Sequence, residues 1–242
     1  IFWPFHLSAD YVPADVAWIQ LPAALITLAV FISAQVALGW KSRGALFGAA
    51  LFWLALAPAS NFIPLFRPAA DRFLYLPLVG IGISVSALLF FVWSRRGLYQ
   101  SLVGVCALSL CTMAMLTWKR EAVFSNSLNL WRDTTIKSPL SAIAANNLGC
   151  ALIDTENYQD AMKAFEKSLQ ITEGVFAESW AGAAIVYEKT GHFDEAEKAF
   201  QKAIAQDTLY ARTEKLLEMG LMARKNVAVL DEIKARISRK QP

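Results

Sequence analysis

The chain has 242 residues, 56% of them apolar and only 18% charged, with a mean hydropathy of +0.38. Residues 1–118 hold six basic and three acidic side chains, whereas residues 119–242 hold 17 of each. Soluble domains carry about 25% charge, so this distribution excludes a single soluble globule, and the balanced second half excludes a polybasic nucleic-acid binder, whose cations cluster on one face.

The first part, 1–118, contains four segments without a charged residue, at 16–40, 44–66, 73–94 and 97–118. A helix needs about 20 mostly apolar residues to cross the hydrocarbon core, so four transmembrane helices are predicted. Trp18 and Trp40 bracket the first segment, and Trp93 and Trp118 close the third and fourth, as interfacial aromatics do. The solid apolar part of the second, 44–57, is followed by Pro58, Asn61, Pro64 and Pro68, which predicts a short span running into an irregular loop or a partly re-entrant one. The chain opens at Ile1 inside an apolar-aromatic stretch without a signal-peptide pattern, so it is expected to be the C-terminal part of something longer. Alternation puts Lys41–Arg43 and Arg95–Arg96 on one side, with 1–15, 58–72 and 119–242 on the other. The positive-inside rule makes the first side cytoplasmic. The polar half is then extracytoplasmic, in a periplasm or an endoplasmic-reticulum lumen.

Chemistry-bearing residues are few. Asp10 and Tyr11 offer a carboxylate and a phenol just before a membrane entry, or Asp10 simply caps a helix. Arg67, Asp71 and Arg72 lie between two apolar spans, where ionisable groups are costly and mark polar cavities or pathways. The planar fork of an arginine there suits a phosphate; the competing reading is a side chain snorkelling to headgroups. Cys106, Cys111 and Cys150 are too few for a disulfide framework or a zinc site and read as small buried apolar residues. The two histidines, His6 and His192, leave no room for a Ser-His-Asp triad or a histidine-rich metal site; His192 is expected exposed in a turn.

The polar half opens with a predicted linking helix within 119–140, carrying Leu128, Leu130, Trp131 and Ile136 before Ser138-Pro139. An internal repeat follows. Ala161 and Ala196 are one period apart, as are Phe165 and Phe200. The spacing of aromatic and small residues is that of the tetratricopeptide repeat, a helix-turn-helix unit of about 34 residues. The first copy, 142–176, has Leu148, Gly149, Tyr158, Ala161 and Phe165; the second, 177–210, has Trp180, Tyr187, Gly191, Phe193, Ala196, Phe200 and Ala203. The alanines are expected where two helices cross closely, the aromatics in the gaps between helices. Residues 211–242 keep helical spacing but lose the consensus, which predicts a degenerate repeat or capping helices. The fold class is therefore all-α: polytopic transmembrane helices, then a helical solenoid. The repeats supply a surface for a peptide or protein rather than a reaction.

Three stretches occur in a familiar order: Phe5-His6-Leu7-Ser8-Ala9-Asp10-Tyr11, Ala70-Asp71-Arg72-Phe73-Leu74-Tyr75-Leu76-Pro77, and Asn147-Leu148-Gly149. Together they resemble the C-terminal half of the transmembrane and tetratricopeptide repeat-containing O-mannosyltransferases and their prokaryotic relatives, of the GT-C class. Asp71 stands where that family more often has glutamate, and Leu78 where serine is common. The resemblance implies transfer of a sugar from a polyprenyl-phosphate donor to a hydroxyl of an acceptor protein. Arg72, Asp71 and Tyr75 would hold the donor phosphate, and the partners would be membrane lipid and an acceptor on the repeats. No covalently bound cofactor is implied, the metal requirement is open, and the catalytic acidic residue would precede Ile1, leaving this chain inactive by itself. Two alternatives compete: a membrane-anchored repeat scaffold for envelope assembly or secretion, and a polysaccharide ligase or polymerase of similar architecture.

Overall fold

A computed structural model describes residues 21–40, 42–59, 75–94, 96–219 and 222–240. The described residues are helical with no strand, and they divide into two compact units at Ala122–Val123.

The first unit contains α1 (Leu21–Gly39), α2 (Arg43–Leu56), α3 (Tyr75–Val92) and most of α4 (Arg96–Phe124). Ser42 sets the start of α2: its backbone is extended and its hydroxyl accepts from the Ala45 amide at 3.4 Å. Helices α2 and α3 make the tightest packing of this unit, because both carry glycine at the crossing. A Cβ on Gly48 would lie 2.6 Å from the Gly80 carbonyl, and one on Gly80 2.5 Å from the Gly48 carbonyl. The backbones thus touch, and small residues are what permits it. Ser84, buried beside this contact, returns its hydroxyl to the Gly80 carbonyl at 3.0 Å. The Trp53 indole donates to Gln35 Oε1 at 2.9 Å, joining α2 to α1.

By length and composition α3 and α4 are sufficient to cross a membrane, while the apolar stretches Leu28–Gly39 and Arg43–Leu56 are shorter. Against the four spans expected from charge-free segments, two are long and apolar enough among the described residues. No residue of α4 is buried. Cys111 is accordingly exposed and Cys106 half-exposed, against the expectation of buried thiols, because among the described residues no helix covers them.

The second unit begins where α4 ends. The helix expected within 119–140 is in fact two pieces: α4 runs on past Trp118 to Phe124, and α5 spans Ser127–Lys137. Asn126 breaks them, its extended backbone and side chain capping the Asn129 amide at 2.8 Å. Two helical pairs follow: α6 (Ala142–Asp154) with α7 (Tyr158–Ile171), and α8 (Ala177–Lys189) with α9 (Phe193–Gln206). Ser141 and Asn157 cap α6 and α7. The turns use left-handed backbone at equivalent places, Gly191 (φ +81) in the second pair and Glu156 (φ 59) in the first. Helix α5 packs on α6 as α7 packs on α8, so it is a half-repeat at the head of the stack rather than a bare linker. A 3-10 helix (Thr208–Ala211), α10 (Thr213–Glu218) and α11 (Arg224–Lys240) complete the unit.

Candidate functional site: the helical repeats

Helices α7 and α9 are amphipathic, with their lysines and, Glu197 apart, their acids outward and alanine, Phe165 and Phe200 inward. Their inward alanines, Ala161, Ala196 and Ala203, are fully buried, as are Phe165 and Phe200. Phe165 occupies a slot between two glycines: a Cβ on Gly149 of α6 would come within 2.7 Å of its ring, and one on Gly182 of α8 within 2.3 Å. Gly149 belongs to the repeat pattern; Gly182 does not stand out in sequence, since its partner lies on another helix. Leu148, Tyr158, Trp180 and Tyr187 are half-buried against the same core.

Trp180 faces the link between the repeats. Its indole donates to the Gly174 carbonyl at 2.9 Å, and Lys202 places its ammonium 4.0 Å above the ring. Gly174 itself has φ +82, which only glycine adopts without strain. Tyr187 meets the ring of His192, and His192 is exposed in the turn before α9 with Nδ1 at 3.0 Å from the Thr190 hydroxyl. Phe193, expected in a gap between helices, is instead exposed, with the Arg236 guanidinium 4.6 Å over its ring. Gly191 lies open in the turn.

Sequence reasoning missed a buried polar chain. The Ser168 hydroxyl donates to the Ala142 carbonyl at 2.9 Å, and the Ser179 hydroxyl lies 2.8 Å from Ser168 and 3.0 Å from Asn146 Oδ1. It ties α6, α7 and α8 together, and each member is satisfied, as burial demands. The only sequence signal is polar residues at inward positions of alanine-rich helices. Burial pushes the Cys150 thiol up to about 12, with Asp154 adding to the effect. Burial, then Glu178 and Asp207, raise the Tyr210 phenol as well.

Between the ends of α6 and α8 and the start of α11 lies a small cavity of about 110 Å³, lined by Ile153, Asp154, Glu156, Tyr158, Lys189, Lys225 and Asn226. Lys225 and Asp154 pair across it at 2.7 Å.

Of the residues singled out for a donor phosphate, Tyr75 opens α3 and is exposed. Asp71 and Arg72 lie outside the described residues, as do Asp10 and Tyr11.

Comparison with known proteins gives one family. Residues 152–226 match the family model of the tetratricopeptide repeat. No curated protein matches the chain.

Proposed function

We propose that the chain is a membrane-anchored docking protein whose repeats bind a protein partner. The observation that carries this is the stack of helical pairs from α6 to α9, which the tetratricopeptide match overlaps from the end of α6 onward, an architecture that offers a surface to a partner rather than bond-making groups. The anchor in this reading is α1 to α4, with the repeats on the side opposite the turns at Arg43 and Arg96. A photoreactive amino acid at Lys189, beside the cavity, should give one discrete adduct in native membranes. Gly182→Leu, which blocks the Phe165 slot, should abolish that adduct. An adduct unaffected by collapse of the stack would mean that the repeats are not the docking surface.

A second reading rests on the stretch Ala70–Pro77. There the docked protein is the acceptor of a sugar from a polyprenyl phosphate, Arg72 and Tyr75 hold the phosphate, and Asp71 orients the guanidinium. A mannosyl-like transfer assay on a longer polypeptide carrying this chain tests it. Arg72→Ala should remove transfer, and Arg72→Lys should restore it only partly, because lysine lacks the fork. Undiminished transfer in Arg72→Ala would leave docking as the sole activity.

A further inference from the structure

Two turns of the first unit lie together at one end. A Cβ on Gly44, in the first turn of α2, would lie 3.5 Å from the Ala87 side chain of α3, and one on Gly48 would meet the Ser84 hydroxyl at 2.5 Å. Helix α2 therefore runs antiparallel to α3, and its start sits beside the later turns of α3. Arg43 opens α2, and Arg96 opens α4 shortly after α3 ends at Val92. Both arginines are exposed. In sequence, Lys41 stands two positions before Arg43, and Arg95 directly precedes Arg96. No acidic residue occurs in 16–70 or in 73–120, so the chain gives these two turns four cations and no anion. Their repulsion goes unopposed from within the unit.

Aromatic rings flank the same cations. Trp40 is 86% exposed and Trp93 66%, and Trp93 meets the half-buried Tyr99 ring edge-on at 4.8 Å. An indole standing out from the end of an apolar helix suits the headgroup layer, which accommodates both its apolar body and its N–H.

We propose that this end of the first unit is a binding surface for anionic phospholipid headgroups, with Arg43 and Arg96 pairing with the phosphates and Trp40 and Trp93 seated among the glycerol backbones. A guanidinium presents its planar fork to two phosphate oxygens. Each cation near an anionic membrane surface adds to an attraction that salt screens. A choline headgroup brings its own cation and gains little, so the selection is for net negative charge. This rests on the membrane anchor proposed above and names the lipid that the anchor prefers.

The test uses the full chain in dodecyl maltoside micelles doped equally with dioleoyl phosphatidylglycerol and dioleoyl phosphatidylcholine. After washing on an affinity resin, the retained lipids are counted by mass spectrometry. At low salt the parent should favour phosphatidylglycerol by at least about tenfold, and high salt should shrink that preference. R43Q with R96Q should lose most of it. K198Q with K215Q removes the same charge from exposed positions of the second unit and should keep it. R43K with R96K retains both charges and should keep most of it. An unchanged preference in R43Q/R96Q, or an equal loss in K198Q/K215Q or R43K/R96K, overturns the proposal, because the charge of these two turns then selects nothing. Release of the lipid by excess inorganic phosphate also overturns it, because a free anion is then the ligand. Retention of both lipids without preference sinks this inference and leaves the anchor standing. A chain that stays dispersed in buffer once detergent is withdrawn sinks the anchor with it.

Discussion

At Phe165, packing is decided by two atoms that are absent. Its ring is fully buried and fills the space where Gly149 and Gly182 have no Cβ. Gly182→Ala puts a methyl carbon 2.3 Å from that ring, which has no room to retreat, so the repeats should lose about 1–3 kcal/mol. Thermal unfolding by circular dichroism reads this, with Gly104→Ala as the control: nothing lies within 4 Å of that position, and no loss is expected there. An equal midpoint for Gly182→Ala and the parent would place Phe165 outside the slot. Gly149 was legible in the sequence because it follows a leucine at a set place in the repeat. Gly182 was not, because its reason is a ring 17 residues back on a different helix. Cys150 carries a pH prediction. Its folded value, up to about 12, exceeds the ordinary thiol value of 9.0, so the protein binds that proton more tightly when folded. The associated stability is fully present below pH 9 and is lost progressively as pH rises toward 12. The native chain should therefore resist thiol reagents at Cys150 at pH 8 and react there once denatured. Rapid native labelling would contradict the apolar setting.

At the scale of elements, the helices of the repeats were legible and their terminal partners were not. Periodicity placed α6 to α9, since alanine and aromatic positions recur with each pair. The role of α5 was hidden: it has no tetratricopeptide word, yet it stacks on α6, with Thr134 buried, Leu128 against the repeat core and Ile136 exposed. Arg236 was equally silent, its partner Glu188 being 48 residues away. In the first unit, the short apolar stretch ending at Ala57 matches α2, 14 residues long, whereas what α2 touches was not legible from its length. The crossing of α2 and α3 depends on backbone contact at Gly48 and Gly80. Cysteines introduced at Ala45 and Ser84, where the serine hydroxyl lies 3.5 Å from the Ala45 carbonyl, should cross-link under mild oxidation. Adding Gly80→Leu should abolish that cross-link by forcing the backbones apart. Persistent cross-linking would mean that the helices meet by another face.

For the whole molecule, the charge break near Trp118 and the division at Ala122–Val123 lie close together in the sequence. No composition reports which side of a bilayer a unit would occupy. The side is open to measurement. Ser94 lies exposed between α3 and α4, and Ser238 is exposed on α11. With four crossings, cysteines at these two places should react with an impermeant reagent from opposite faces of sealed vesicles. Reaction from the same face would rule out the four-span anchor. The slot around Phe165 has one more consequence, for descent. Phenylalanine at 165 and glycine at 149 and 182 are a single inherited unit: relatives keeping the ring should keep both glycines, while a relative with a small residue at 165 should be free to vary both. Three letters scattered over 34 positions would then drift together or not at all.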